Sequence, residues 1–144
     1  MIKKVNSEKG AENIVEKMFS LDWFSQWMGI ERIQVKPGLC SLRMLVRKEM
    51  LNGFGIAHGG ITYSLADSAL AFASNSQGRK SVSVETSISH LLPVKEGDVL
   101  MANAEEISCS DKIGIYSICI TNQENKKVAL FKGTVYRTSK EWEL

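Results

Sequence analysis

The chain has 144 residues, 44% of them hydrophobic and 24% charged, with a formal net charge of +2. That supplies one buried core, fits a single domain over 1–144, and excludes a disordered or halophilic chain. The near-neutral charge without a basic stripe excludes a nucleic-acid binder, and no run of about 18 apolar residues exists to cross a membrane.

The opening MIKKVNSEKG has lysines but no apolar stretch behind them, so no secretory signal is expected. Cys40, Cys109 and Cys119 are odd in number and lack CxxC spacing, as expected of reduced thiols in the cytoplasm. His58 and His90 are the only histidines, and neither has a ligand cluster in sequence, so no metal is expected.

Ser7 can cap a first helix, where Ala11, Ile14, Val15 and Met18 make one apolar stripe ending near Ser20. Asp22 can cap a short second helix with Trp23 and Trp27 on one face and Gly29 as its stop. The tryptophans are expected to pack onto the sheet. Residues 30–36 and 39–47 alternate apolar and polar, and Pro37-Gly38 joins them as a hairpin. A loop over 50–57 then leads into the central segment.

Residues 52–76 read NGFGIAHGGITYSLADSALAFASNS. Asn52, Gly53, Gly55, Gly59 and Gly60 keep its first half irregular. From Ile61 to about Ser74 apolar residues fall on every side, which predicts a helix buried all round. Four strands follow, at 81–91, 99–109, 113–121 and 127–137, with Val82, Val84, Thr86 and Ile88 on one face of the first. Short connections make neighbouring strands antiparallel. An α+β fold, a curved antiparallel sheet of about six strands around one long central helix, buries that helix in a single layer.

Asp67 breaks the helix pattern. Burying an unpaired carboxylate costs several kcal/mol or shifts its pKa, so Asp67 has a partner, faces a wet cleft or does chemistry. At the helix start, Gly59 and Gly60 leave room for a substrate oxygen near N–H groups that lack intrahelical partners. The dipole is positive there, which is what an oxyanion hole needs. Asp67 lies eight residues beyond Gly59, about 12 Å along a helix. One bound carbonyl cannot easily touch both groups of a single chain. If both serve one site, two copies of the helix pair antiparallel, and the expectation is an obligate dimer.

Asn52, Gly55, His58-Gly59-Gly60 and Leu65-Ala66-Asp67 together resemble the hotdog-fold acyl-CoA thioesterases, in the branch of the phenylacetic acid degradation protein PaaI. The likeness continues through Leu92-Pro93, Glu96-Gly97-Asp98, Ala129-Leu130-Phe131-Lys132-Gly133 and Tyr136-Arg137. It implies the hotdog fold and hydrolysis of an acyl- or aryl-acyl-CoA, phenylacetyl-CoA or one like it. Water is the second substrate, and no cofactor is implied. Asp67 would be general base, or nucleophile through a mixed anhydride. The Gly59 N–H would be the oxyanion donor and Gly60 would contact substrate.

Asn52 would place the water or the carbonyl, where most Asn-Gly pairs are simply turns. His58 would fix the loop by hydrogen bonding and touch the thioester. Related thioesterases can use a hydroxyl near Ser83 beside the acid, though a strand serine is usually just surface. Trp23 and Trp27 have the alternative use of an acyl-pocket wall. His90 would be pocket wall or interface, and Glu85 a solvated or interface charge. Arg79, Lys80, Lys95, Lys132 and Arg137 are the cations available for the coenzyme A phosphates. The resemblance also implies that dimers associate into homotetramers. No G-x-S-x-G, Walker or G-x-G-x-x-G motif is present. An acyl-CoA hydratase on the same fold and a non-catalytic acyl-CoA-binding protein are the alternatives.

Overall fold

Ser7 accepts the Gly10 N–H at 3.1 Å and so caps α1 (Glu8–Ser20), in which Ala11, Ile14 and Val15 are fully buried. The computed structural model describes residues 5–143. Asp22 caps α2 (Trp23–Trp27), accepting from the Ser25 N–H at 2.9 Å and the Ser25 hydroxyl at 2.6 Å. The two tryptophans do not pack onto the sheet: Trp23 is 70% and Trp27 59% exposed. Ser25 and Met28 take the inward face instead, and Ser25 Oγ lies 2.8 Å from Ser68 Oγ of the long helix. At 3.6 residues per turn, a helix with Ser25 inside turns residues 23 and 27 outward.

Six strands form one antiparallel sheet: β1 (Glu31–Lys36), β2 (Leu39–Leu45), β3 (Arg79–His90), β4 (Val99–Cys109), β5 (Ile113–Thr121) and β6 (Lys127–Glu141). All the pairings are antiparallel, as expected. The order is β1-β2-β4-β5-β6-β3, so the successive strands β3 and β4 are not neighbours. The connection over 91–98 runs across the sheet end instead. The Leu91 N–H meets Val128 O, Ala57 donates to Val94 O, and Gly97 donates to Val46 O. Eight extended residues reach about 26 Å, enough to pass two strands.

β3 is therefore a twelve-residue edge. A β-bulge between Ser83 and Glu85 inserts one residue and flips the alternation. Val82 pairs with the outward Tyr136, whereas Thr86 and Ile88 pair with the inward Gly133 and Phe131. The four residues read as one face thus divide between two. Val82 and Val84 stand 56% and 59% exposed.

The long helix α3 (Gly59–Asn75) lies on the concave face. Leu65, Ala66, Ala69, Leu70, Phe72 and Ala73 bury against Leu42, Met44, Leu100, Ile118 and Phe131. Each large side chain so buried is worth about 1.5–3 kcal/mol. Gly133 of β6 sits directly under Leu70, and a Cβ there would lie 2.8 Å from Leu70 Cδ1 and nearer still to Cδ2. α3 is not buried all round in the single chain. Gly60, Tyr63, Ser64, Asp67 and Ala71 form a stripe left partly open, at the spacing of one helix face. No helix among the described residues is long and apolar enough to cross a membrane.

Candidate active site

His58 is the N-cap of α3, and its Nδ1 accepts the Gly60 N–H at 2.9 Å. Neutral His58 therefore carries its proton on Nε2. The Ile61 N–H bonds to His58 O at 2.9 Å. Gly59, the first helical residue, has no intrahelical acceptor, and nothing else among the described residues receives its N–H. Of the two glycines, only Gly59 keeps an open donor.

That donor opens on a cleft of about 340 Å³ lined by Asn52, Ile56, Ala57, Gly59, Thr62, His90 and the segment 91–94. Asn52 Oδ1 accepts the Phe54 N–H at 2.9 Å, which turns the loop, and the Asn52 amide NH₂ has no partner among the described residues. Asn52 is thus a turn residue and a cleft residue at once. His90 stands beside Gly59, its Nε2 3.3 Å from where a Gly59 Cβ would be. Its Nδ1 is 3.3 Å from Thr62 Oγ1, which donates to Gly59 O at 3.1 Å. His90 thus lines the wall of the cleft.

His90 enters through the antiparallel run of α3 and β3. Asn75 bonds to Ser81 O at 3.0 Å, Tyr63 hydroxyl bonds to Thr86 Oγ1, and Thr62 reaches His90. From Asn75 back to Gly59 is sixteen residues, about 24 Å of helix and about seven residues of strand. Counted from Ser81, that comes within two residues of His90, so the strand that follows the helix carries this histidine back to the level of Gly59.

Asp67 is not in this cleft. It sits on the open stripe of α3, level with the Ser83–Glu85 bulge because it lies between Tyr63 and Asn75. No hydrogen bond or ion pair to its carboxylate forms among the described residues, and burial pushes its pKa up. Ser83 is exposed on the β3 edge at that level. The structure therefore brings Asn52, His58, Gly59 and Gly60 together and holds Asp67 and Ser83 apart from them within one chain.

A carboxyl raised by burial penalises the fold once it ionises. The penalty is absent below the ordinary carboxylate range of about 4 and grows as pH rises through the folded-state value. Asp67→Asn should therefore raise Tm at pH 7.5, with the gain vanishing near pH 4. A lower Tm for the variant at pH 7.5 in paired thermal melts would mean the carboxylate has a stabilising partner.

Among the candidate phosphate ligands, Arg79 is excluded by its setting. It is buried and bonds Asp111 Oδ1 at 2.9 Å and Thr138 O at 2.9 Å, which makes it structural. Lys132 faces Glu85 at 3.9 Å, Arg137 donates to Ser110 O at 2.5 Å, and Lys80 lies over the Trp142 ring. Lys95 sits beside the cleft. Leu92 and Pro93 are shared with a second groove of about 420 Å³, which Lys95 and Lys126 also line. No group of three or more His, Cys, Asp or Glu placed to hold a metal occurs among the described residues.

Comparison with known proteins adds a family to this geometry. The thioesterase superfamily model matches residues 54–129. The acyl-coenzyme A thioesterase PaaI of Escherichia coli is 39% identical over 131 residues, covering 91% of this chain and 93% of that one. The solved structure of E. coli PaaI, from the phenylacetic acid degradation operon, superposes with TM-score 0.91, covering 93% of this chain and 97% of that one. A hypothetical thioesterase protein of Streptococcus pneumoniae, crystallised with coenzyme A, has TM-score 0.82 at 28% identity, covering 88% of this chain and 98% of that one. Mutants of that S. pneumoniae protein have been solved with alanine for an aspartate and for a threonine sixteen residues further on. On the match over 54–129 and the 39% identity to PaaI, the chain belongs to the thioesterase superfamily and has its hotdog fold.

Proposed function

We propose that the protein hydrolyses an acyl- or aryl-acyl-CoA thioester, of the phenylacetyl-CoA type, to the free acid and coenzyme A. The observation that carries this reading is the unpaired first-turn N–H of Gly59, a residue that lines a mainly apolar cleft. Such a donor stabilises the oxyanion formed when a thioester carbonyl is attacked. The thioester lies in the cleft with its carbonyl on Gly59. Gly60, lacking a side chain, leaves room for it, and Asn52 and His58 contribute hydrogen bonds from either side. The groove with Lys95 and Lys126 is the place for the coenzyme A phosphates. The site of action is the cytoplasm, and no cofactor takes part.

The acid comes from a second copy. The open stripe of α3 and the long β3 edge lie side by side, and both are self-complementary across a two-fold axis. Pairing them antiparallel sets Gly59 of one chain against the partner's Asp67. There the carboxylate acts as general base on water or as nucleophile. Ser83 lies sixteen residues beyond Asp67, the spacing of the aspartate and threonine replaced in the S. pneumoniae protein. That spacing supports a place for the Ser83 hydroxyl beside the acid. Two such dimers associate into a tetramer in the arrangement that the family likeness implies.

Mixing two dead variants tests the shared site. Gly59→Pro deletes the donor N–H while keeping the helix, because proline suits the first helical position. His58, at φ −58 and ψ 138, already has the extended form that precedes proline. Asp67→Asn deletes the acid. Each alone should be inactive, and co-refolded chains should recover about one quarter of wild-type activity, one intact site in half the dimers. No recovery in hybrids shown to form by mass spectrometry sinks the shared site. Acyl-CoA binding with no hydrolysis by wild type would leave a sensor instead of an enzyme.

A further inference from the structure

The cleft holds one titratable side chain that the reading above does not use, His90. Three contacts define its state. Thr62 has a single hydroxyl proton, and it goes to Gly59 O at 3.1 Å. Toward His90 Nδ1, at 3.3 Å, the Thr62 oxygen therefore accepts, and Nδ1 carries the imidazole hydrogen. Nε2 is left with its lone pair. It points over Gly59, 3.3 Å from the place of a Cβ that glycine lacks. A proton acceptor thus stands next to the open donor of the helix start, with its ring orientation set by Thr62.

We propose that His90 is a catalytic residue, the acceptor of the proton from the water that is consumed in hydrolysis. This inference rests on the thioesterase reading and deepens it. A carboxylate oxygen of the partner's Asp67, acting as nucleophile, bonds to the carbonyl carbon, and the carbonyl electron pair moves onto oxygen beside the Gly59 N–H. On collapse the C–S bond breaks and the pair leaves with sulfur. The water oxygen then bonds to the acyl carbon of the anhydride, and its O–H proton passes to His90 Nε2. The C–O bond to the partner's Asp67 breaks with its pair on the carboxylate, and the imidazolium gives its proton to the thiolate. One water is consumed and the proton balance closes at Nε2.

The test uses the intact protein with acetyl-CoA and phenylacetyl-CoA as substrates and thiol release as the signal. His90 is exposed at the end of β3, so His90→Ala and His90→Gln should fold. Both should lose about 10²-fold or more in kcat with KM within about twofold, since general base catalysis contributes 10²–10⁴. Added imidazole should restore part of the His90→Ala rate and none of the His90→Gln rate, whose amide fills the space. A kcat within threefold of wild type, or a change in KM alone, overturns the proposal and makes His90 a wall. If those variants stay active while Asp67→Asn is dead, only this inference fails. If wild type cleaves no thioester, the thioesterase reading fails and this inference with it.

Discussion

Asp67→Asn is expected to lower kcat for thioester hydrolysis by about 10²-fold or more, with the fold intact. Asparagine keeps the shape of the carboxylate but neither takes a proton nor attacks a carbonyl. The position makes this a clean substitution. Asp67 holds no hydrogen bond or ion pair within the described residues, and its pKa is already raised by burial. Neutralising it therefore breaks nothing in the single chain. Loss of activity cannot then be blamed on unfolding, which separates this acid from an ordinary buried one. The measurement is kcat on a panel of CoA thioesters beside a thermal melt. A variant that keeps more than a tenth of wild-type kcat would remove Asp67 from the chemistry.

The largest effect on stability is expected from Gly133. β6 lies between β5 and β3, paired on both sides, so its backbone cannot retreat from α3. A Cβ at Gly133 would meet Leu70 Cδ1 at 2.8 Å, nearer than Cβ atoms come in real structures, and Cγ at a tight 3.1 Å. Leu70 is itself almost wholly buried and has nowhere to swing. Gly133→Ala should cost about 1–3 kcal/mol and Gly133→Val more, a large part of the 5–15 kcal/mol of a typical domain. Leu70→Ala combined with Gly133→Ala should cost less than the two single changes summed, because the new methyl fills part of the vacated space. Urea unfolding of the four chains reads this as a coupling of about 0.5–3 kcal/mol. Gly133→Ala within about 0.5 kcal/mol of wild type would show that α3 sits less tightly on β6.

Local signals in the chain proved readable where the physics is local. Ser7 and Asp22 cap the helices they precede, and the hairpin turns at Gly38 with φ +77, which only glycine adopts freely. The central helix was legible because small and apolar residues, broken by Asp67 alone among charged residues, run from Ile61 to about Ser74. What one chain cannot express is the sheet order. β3 pairs with β6, its partners lying from 39 residues away (His90 and Ala129) to 62 (Arg79 and Glu141), and the connection at 91–98 has the composition of any turn. The bulge at Val84 was hidden for a related reason. One inserted residue reverses the meaning of every alternation before it, and Val82 reads the same on either face.

The candidate site was legible unevenly. Asn52, His58, Gly59 and Gly60 are close in sequence and are close in space. The distance of about 12 Å between Gly59 and Asp67 was legible too, since it follows from helix rise alone. His90 lies thirty-one residues beyond Gly59, and its place in the cleft depends on the strand that follows the helix. The outward turn of Trp23 and Trp27 was missed because a pair spaced four apart names a face without saying which way it looks. Ser25, small and polar, took the inward side through its contact with Ser68.

That outward turn makes the protein unusual to the spectroscopist. Its three tryptophans are Trp23, Trp27 and Trp142. The first two stand in water, and Trp142 rests at the chain end against Asn75 and Lys80. None lies between α3 and the sheet. Indole emission follows the polarity around the ring, so the folded protein should glow at long wavelength, much as an unfolded one does. A denaturation curve followed by that light would understate the loss of structure. The same light should answer sharply to anything that covers α2, and so gives an optical handle on that ridge which the core cannot obscure.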